Sequence, residues 1–414
     1  MIGAIIGDVV GSKYEFHNYR NKDFKLLDEE SFFTDDTVLT VAVMDWILNT
    51  DSVDQESLIK YFQKWGRKYP NAGYGSRFIS EWLYADKPAP YKSYGNGSAM
   101  RISPIAYVAN SKEELLFLSD LVTGITHNAY EGMKGARSIA LATFMALHGS
   151  SKEEIKDMAI SYYPQIANFD YEDLKKNYRF NETSQNTCPQ ALYCFLISKD
   201  FEDCLRTSVS IGGDTDTLCA MSCAIAEAYY KKIRTKLKDF VYSKLTKEMQ
   251  EIVDRFQRFL DKLDDDRSLV LEVHYDLSRF VEAHKSYYEI AKSELKNGYK
   301  QSHWMWFMFP QIKGLGTSPT SIKYSLSGIH EASDYYQHDI LGPHLLELCK
   351  IILSLKTNNS EEIFGYTDAL KLKSSMTIFY KSTGEKIFID VLNKYYKGEL
   401  DQLTLDLLEK GENR

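Results

Sequence analysis

The chain of 414 residues has little proline and glycine, no long apolar run and no paired cysteine motif. Only 9 Pro and 23 Gly are present, which argues against long flexible linkers and excludes a collagen-like repeat. The apolar runs end well before the ~18 residues that a membrane span needs. The first residues have no basic flank, and Asp8 interrupts their apolar run. We therefore expect no membrane span, no secretory signal and a cytoplasmic location.

The cysteines and the charges exclude further classes. None of the six cysteines forms a C-x-x-C pair, so the sequence suggests neither a zinc site nor a disulfide scaffold and predicts reduced, buried thiols. Lys and Arg number 50 against 58 Asp and Glu, which gives a net charge of -8. This balance offers no support for electrostatic docking on nucleic acid. The oligomeric state stays open.

Apolar residues recur at spacings of three and four through most of the chain, and alternation of period two is scarce. This periodicity predicts an all-α fold. A charged segment without apolar anchors, Asp264 to Ser268, indicates a boundary. We expect a domain over 1–264, a linker over 265–274 and a second, smaller all-α domain over 275–414. In the second domain the pattern predicts helices at about 276–297, 329–337, 341–357, 367–382, 385–397 and 399–410.

Two acidic clusters each precede an apolar helical pattern directly. They are Thr34-Asp35-Asp36-Thr37 and Gly212-Gly213-Asp214-Thr215-Asp216-Thr217. Helix capping alone explains one oxygen per helix, since Asp and Thr are favoured caps. Each cluster supplies two carboxylates, and no Lys or Arg stands beside either cluster in the sequence. Carboxylate oxygens of this kind are the ligands that a hard divalent cation prefers. If the two helix starts meet in space, their four carboxylates could share two metal ions.

The first fifteen residues contain glycines at spacing four, Gly3, Gly7 and Gly11, on an apolar run. This spacing predicts a buried helix packed closely against a neighbour. Asp8 is interpreted as a structural residue that bonds backbone. Glu15 lies seven residues further on, so a continuous helix would put both acids on one face. Glu15 could then reach a metal or a substrate hydroxyl.

A glycine-rich loop and a single histidine complete the candidate site. The segment Gly95-Asn96-Gly97-Ser98-Ala99-Met100-Arg101 could turn backbone N–H groups towards a phosphate, although Asn-Gly is also a common plain turn. His127 follows Thr126 in a helix-to-helix connection, where a lone histidine is usually an ordinary polar contact.

Residues 1–262 resemble the ADP-ribosylglycohydrolase family. The resemblance rests on five motifs in this order: G-x-x-x-G-D-x-x-G-S-x-x-E at 3–15, T-D-D-T at 34–37, G-N-G-S-A-M-R at 95–101, T-H at 126–127 and G-G-D-T-D-T at 212–217. It implies an all-α ADP-ribosylglycohydrolase-type bundle with two Mg²⁺ ions, for which Mn²⁺ can substitute. The implied metal ligands are Thr34, Asp35, Asp36, Asp214, Asp216 and Thr217.

The same resemblance implies the roles of the remaining site residues. Glu15 matches a glutamate that reaches the metal or the ribose, and Asp36 or Asp216 could take a proton from water as the base. The implied substrate-binding residues are Gly95, Asn96, Gly97, Ser98, Met100 and His127. The substrate would be an ADP-ribosylated protein side chain or small molecule.

The C-terminal part resembles a small all-α domain of unknown function, the family numbered eighteen-ten, over about 275–412. Its motifs include Ser302-His303-Trp304-Met305-Trp306-Phe307-Met308-Phe309-Pro310-Gln311 and Gly314-Leu315-Gly316. Most of these aromatic residues are expected in the core, because so small a domain needs large side chains inside. We also considered an anionic pocket formed by Arg279, His303, Lys371 and Lys373.

The leading hypothesis is a Mg²⁺-dependent hydrolase that removes ADP-ribose from an acceptor, which could be an arginine or serine side chain, a nucleic acid or a small molecule. The alternative is an ADP-ribose reader without turnover, whose C-terminal domain engages a partner. A metal phosphoesterase acting on a nucleotide is the third reading. The acceptor, the base and the role of the C-terminal domain stay open.

Overall fold

The computed structural model describes residues 1–50, 53–265 and 275–412. The chain divides into two compact units, Met1–Val273 and His274–Arg414. Over the described ranges no β-strand forms, and only two isolated bridges occur, Gly95 with Thr183 and Ile312 with Leu326. No helix within these ranges is both long and apolar enough to cross a membrane. The all-α prediction is therefore confirmed.

The first unit is built from helices around one apolar core. Its α-helices are α1 (Gly3–Gly11), α2 (Asp35–Asn49), α3 (Gln55–Lys68), α4 (Ser103–Val108), α5 (Lys112–Gly124), α6 (Tyr130–Leu147), α7 (Lys152–Tyr162), α8 (Tyr171–Asn177), α9 (Ser184–Ile197), α10 (Phe201–Ser210), α11 (Thr215–Tyr230), α12 (Thr235–Lys244) and α13 (Lys247–Asp265).

Helix α1 packs against α11 through its small residues, as the glycine spacing predicts. A Cβ on Gly7 would lie 2.2 Å from the carbonyl oxygen of Cys219, and one on Gly11 would lie 2.6 Å from that of Thr215. Only glycine permits such an approach of two backbones. The contact fixes the end of α1 beside the beginning of α11, where one of the two acidic clusters lies.

The predicted linker over 265–274 falls almost wholly outside the described residues, apart from Asp265, which ends α13. The six cysteines are free and buried, in agreement with the sequence.

The second unit has its own core, which contains Trp304, Phe307 and Phe309. The aromatic segment is thus mainly core, as expected. The sequence missed three short helices, because four or five residues carry too little periodicity to be recognised. The α-helices are α14 (Ser278–Lys296), α15 (Met305–Met308), α16 (Pro319–Lys323), α17 (Ile329–Gln337), α18 (Leu341–Ser354), α19 (Ser360–Phe364), α20 (Tyr366–Thr383), α21 (Lys386–Tyr396) and α22 (Gln402–Glu412).

The four residues considered for an anionic pocket in this unit do not offer free charge. Arg279 binds Glu331 and also donates to the carbonyl oxygens of Lys323 and Ser325. Lys371 lies 2.8 Å from Asp368, and Lys373 lies 3.3 Å from Glu399. His303 is exposed. The geometry gives no reason to retain this pocket.

Candidate active site

The first acidic cluster lies at the start of α2. Thr34 is the N-cap, and its Oγ1 accepts a hydrogen bond of 3.3 Å from the backbone N–H of Asp36. The N–H of Asp35 donates to the carbonyl oxygen of Ala72 at 2.8 Å. Capping therefore uses the threonine, and the carboxylates of Asp35 and Asp36 are left for another role.

Asp8 anchors this helix start from α1. Its carboxylate accepts from the N–H of Thr34 at 2.9 Å, from the N–H of Thr37 at 3.0 Å and from the hydroxyls of both threonines. The interpretation of Asp8 as a structural residue is confirmed. Through these bonds α1 holds the beginning of α2 close to the beginning of α11.

The second acidic cluster, at the start of α11, meets the first. Thr217 Oγ1 donates to Asp36 Oδ2 at 3.2 Å. Gly212 and Gly213 precede the helix with φ of +68° and +88°, a conformation that favours glycine and turns the chain sharply into the cluster. The two remote helix starts therefore converge in space.

Glu15 joins this cluster by a route that differs from the sequence prediction. Helix α1 ends at Gly11 and a 3₁₀ turn follows over Ser12–Tyr14, so no continuous α-helix carries Asp8 and Glu15 on one face. Carboxylate oxygens of Glu15, Asp214 and Asp216 nevertheless all lie within 4.8 Å of one another. These three residues form a group that could hold a metal ion.

Burial and mutual repulsion raise the pKa of every acid in the cluster. Burial raises the pKa of Asp8 and of Asp214 to about 6. Burial, followed by the charges of Asp216 and Asp8, raises the pKa of Glu15 to about 8. The same causes raise the pKa values of Asp35 and Asp36 well above the usual range. Burial, followed by the charge of Asp214, does the same for the pKa of Asp216.

No cationic side chain compensates these acids. None of the six takes part in an ion pair within the described ranges. Asp36 Oδ1 and Asp216 Oδ1 are buried and have no hydrogen-bond partner there. Buried carboxylate oxygens of this kind are costly unless a ligand satisfies them.

The glycine-rich loop borders the acids. Asn96 Nδ2 donates to Asp214 Oδ2 at 2.6 Å, and the backbone of Gly95 pairs with Thr183. The loop continues as a 3₁₀ turn over Asn96–Ser98, and Ser98 does not enter an α-helix, which begins only at Ser103. The loop is thereby fixed beside the second cluster.

Two loop residues proposed to bind substrate are oriented towards the interior. Ser98 is fully buried, and its hydroxyl donates to the carbonyl oxygen of Gly132 at 3.0 Å. Met100 is also buried. Their side chains support the loop from behind, so any contact of Ser98 with a ligand would come from its backbone.

His127 lies against the same loop. A Cβ on Gly95 would lie 3.5 Å from its Nε2, and one on Gly97 would lie 3.6 Å from it. Burial, followed by the charge of Arg101, lowers the pKa of His127 well below its ordinary value. The ring is therefore neutral and faces the two glycines.

Two neighbours of the site had no clear signal in the sequence. Gly73, with φ of +104°, lies against Asp35, since a Cβ there would be 3.4 Å from Asp35 Oδ1. The carbonyl oxygen of Glu182 accepts from the N–H of Asn96 at 2.8 Å. The side-chain charge of Glu182 contributes to the raised pKa of Glu15 and of Asp214. In the sequence, the Gly-Tyr-Gly segment at 73–75 is the only feature that could have indicated Gly73 as a neighbour of the site, and no feature indicates Glu182.

The first unit is thus helical and brings a buried cluster of oxygen donors beside a glycine-rich loop. Residues 1–267 match the ADP-ribosylglycohydrolase family, and the chain belongs to this family. It is therefore an enzyme of the class that hydrolyses ADP-ribose linkages. Residues 274–408 match a second family, described as a protein of unknown function (DUF1810). Both resemblances stated from the motifs are confirmed.

The chain is also similar to individual known proteins. The chain is 27% identical over 304 residues to ADP-ribosylhydrolase ARH3 of Mus musculus, covering 56% of this chain and 82% of that protein. It is 25% identical over 260 residues to ADP-ribosylarginine hydrolase Tri1 of Pseudomonas putida, and the match covers 56% of this chain and 69% of that protein. A crystal structure of a conserved hypothetical protein from Mycobacterium tuberculosis is 46% identical, covers 33% of this chain and 97% of that one, and has a TM-score of 0.32.

Proposed function

We propose that the chain is a Mg²⁺-dependent hydrolase that cleaves the N- or O-glycosidic bond between ADP-ribose and an acceptor. The acceptor would be a protein side chain such as arginine or serine, a nucleic acid or a small molecule. In this proposal residues 1–264 form the catalytic domain, 265–274 the linker and 275–414 the second domain. The observation that carries the proposal is the convergence of two helix starts on buried carboxylate oxygens, which have no cationic partner among the described residues.

The residues present suit a pair of hard divalent cations. Every donor in the cluster is a carboxylate or hydroxyl oxygen, the ligand type that Mg²⁺ and Mn²⁺ prefer. The unsatisfied atoms Asp36 Oδ1 and Asp216 Oδ1 are where a cation would relieve the cost of burial. The residues proposed to hold the ions are Thr34, Asp35, Asp36, Asp214, Asp216 and Thr217.

Thr34 and Thr217 retain the oxygen lone pairs that this role needs. Thr34 Oγ1 donates to Asp8 and accepts from the N–H of Asp36, so one lone pair is left. Thr217 Oγ1 uses its proton on Asp36. When bound, the ions supply Lewis-acid polarisation of ribose hydroxyls and a lower pKa for water.

The chain's own groups would hold the substrate and accept the proton. Asn96 orients Asp214 through a 2.6 Å hydrogen bond, and the Gly95–Gly97 backbone offers close approach to a diphosphate. Water attacks C1″ of the distal ribose, the bond from C1″ to the acceptor nitrogen or oxygen breaks, and the acceptor leaves with its electron pair. Either Asp36 or Asp216 would take the proton of the water through a carboxylate oxygen that does not bind a cation, while Glu15 would reach the metal or the ribose.

Charge development explains why acids suit this reaction. Departure of the acceptor gives the ribose oxocarbenium character, which nearby carboxylates stabilise. The Thr217–Asp36 and Asn96–Asp214 hydrogen bonds hold the acids in place, so little reorganisation is needed in the transition state.

Turnover assays on defined substrates test the proposal. Peptides carrying ADP-ribose on arginine or on serine are incubated with the full chain and Mg²⁺, and released ADP-ribose is quantified by chromatography. We expect release from at least one of them, and none after chelation of the metal. No release from either peptide, from ADP-ribosylated nucleic acid or from small esters would contradict the proposal. Phosphate or AMP release would instead favour a phosphoesterase.

A further inference from the structure

A fully buried arginine lies behind the glycine-rich loop without a carboxylate partner in the described part of the chain. Arg101 is 1% exposed. Its Nη2 donates to Thr126 Oγ1 at 2.6 Å and to the carbonyl oxygen of Val122 at 3.3 Å, and its guanidinium carbon lies 4.7 Å from the centre of the Phe62 ring. The cation is stabilised by a π face and by two oxygens, one of which is the hydroxyl of Thr126.

The direction of the next hydrogen bond follows from this contact. Thr126 Oγ1 lies 2.7 Å from His127 Nδ1. Because an arginine can only donate, Oγ1 accepts from Arg101 and has one proton of its own to give. His127 Nδ1 is the only acceptor that the described structure offers to that proton. The reverse arrangement would place two donors on one oxygen and leave a buried hydroxyl proton unsatisfied, which is unfavourable.

The ring proton of His127 is therefore on Nε2, the atom that faces Gly95 and Gly97. His127 is 5% exposed, and the described residues provide no hydrogen-bond partner for Nε2. Burial and the nearby Arg101 charge lower the pKa of His127, which keeps the ring neutral. Towards the loop the ring can thus donate one hydrogen bond and cannot accept one.

We propose that Arg101 and Thr126 are positioning residues that lock His127 in the neutral Nε2–H tautomer, so that it donates to an oxygen of a ligand bound on the Gly95–Gly97 loop. The ligand is ADP-ribose, and this part of the inference rests on the proposed function. A ring held in this state favours a phosphate or ribose oxygen and disfavours an ammonium or amide N–H at the same place. The tautomer itself does not depend on the function.

Nuclear magnetic resonance of the full chain labelled with ¹⁵N-histidine tests the tautomer directly. Two-bond ¹H–¹⁵N correlations show which ring nitrogen carries the proton, and the His127 signals are assigned by their loss in His127→Gln. We expect the Nε2–H pattern, unchanged between about pH 5 and 8, a range that spans the ordinary histidine pKa. A proton on Nδ1, or a ring that titrates in this range, would overturn the inference. The wild-type spectrum needs no variant to fold.

A pair of variants then tests the hydroxyl. Thr126→Val removes the hydroxyl at nearly constant shape and should give a mixture of tautomers, whereas Thr126→Ser keeps the hydroxyl and should restore the wild-type pattern. By calorimetry, Thr126→Val should weaken binding of free ADP-ribose by the factor by which the Nε2–H population falls in the spectrum, since only that tautomer donates to the ligand. Thr126→Ser should bind as the wild type does. A wild-type pattern in Thr126→Val would overturn the role of Thr126.

The two proposals fail in different ways. A wrong tautomer in the wild-type chain contradicts this inference and leaves the hydrolase proposal untouched. The expected tautomer combined with no binding of ADP-ribose contradicts the proposed function and the ligand assigned here.

Discussion

The acids of the candidate site differ from the shielded acids of the second unit in their partners. In the C-terminal unit Asp368 lies 2.6 Å from Lys300 and 2.8 Å from Lys371, and the buried Glu331 binds Arg279. In the N-terminal unit Asp36 and Asp216 are as buried as Glu331, yet no cation faces them in the described structure. A carboxylate that serves only the fold has either a cation or several hydrogen-bond donors of the protein beside it, since an unpaired buried charge is costly. The acids without a cationic partner are therefore candidates for binding a ligand that supplies the charge.

The contrast extends to hydrogen bonding. Glu294 accepts from the backbone N–H groups of Gln301 and Ser302 and from the indole N–H of Trp304 at 2.8 Å. It fixes the start of the aromatic segment and leaves no oxygen unsatisfied. Asp216 Oδ1 has no such donor. Three changes, given in order of expected effect, test whether this difference is functional.

The largest effect is expected for Asp216→Asn. The amide keeps the shape but removes a charge and a ligand oxygen, so turnover should fall about 10³-fold, the order found when one transition-state electrostatic contact is removed. ADP-ribose release in Mg²⁺ measures it, and calorimetry should show weaker Mn²⁺ binding. In chelator, the free energy of unfolding should not fall, because the variant removes a buried unpaired charge.

Asp157→Asn is the matched control for this change. Asp157 is exposed on α7, away from both clusters, so turnover and metal binding should equal those of the wild type. Full activity in Asp216→Asn, or an equal loss in Asp157→Asn, would remove the distinction between paired and unpaired acids.

The second effect is one of stability in the C-terminal unit. Arg279→Met leaves Glu331 buried without its cation, which should lower the free energy of unfolding by about 3 kcal/mol. Hydrogen exchange of α14 and α17, measured by mass spectrometry, reports the loss locally. Turnover at low temperature should be unchanged, because the hydrogen bonds of Arg279 run to residues of the second unit, whereas the candidate site lies in the first.

Lys386→Met provides the control, since it breaks an exposed ion pair with Asp390. It should lower the free energy of unfolding by less than about 0.5 kcal/mol. Equal exchange in Arg279→Met and Lys386→Met would show that burial of the acid does not matter.

The smallest effect concerns acid pH. Burial raises the pKa of Glu294, but hydrogen bonds from Ser302, Gln301 and Trp304 outweigh it and lower the pKa to about 2, against an ordinary value of 4.5. A depressed folded-state pKa stabilises the fold above pH 4.5, and this contribution is lost as the pH falls from 4.5 towards 2.

Glu294→Gln should therefore reduce stability by about 1.5 kcal/mol at pH 7, and the difference from wild type should shrink below pH 4.5. Hydrogen exchange of the segment around Trp304 at pH 7 and pH 3 measures this. A difference that grows on acidification would contradict the assignment.

The sequence predicts the local secondary structure better than the long-range contacts between helices. The threonine and aspartate pattern predicts a helix start within Thr34–Thr37, and α2 begins there, at Asp35. The glycine spacing correctly predicts the close contact of α1. These features depend on neighbouring residues alone. The convergence of Asp36 with Thr217 joins residues 181 positions apart, and only the packing of α1 on α11 produces it.

The remaining errors have similar causes. Glu15 reaches the cluster through a 3₁₀ turn and not through a continued helix, because α1 ends at Gly11. Ser98 faces Gly132, a residue on α6 that no local pattern connects to the loop. The tautomer of His127 depends on Arg101, which lies 26 positions earlier and was recognised only as the end of a motif.

The most direct test of the central claim is anomalous diffraction from crystals of the full chain grown with Mn²⁺ and ADP-ribose. The account predicts two manganese peaks bonded to oxygens of Asp36 and Asp216, with the ribose against them and the diphosphate on the Gly95–Gly97 loop. ADP-ribose bound on that loop with no manganese at these aspartates would contradict it.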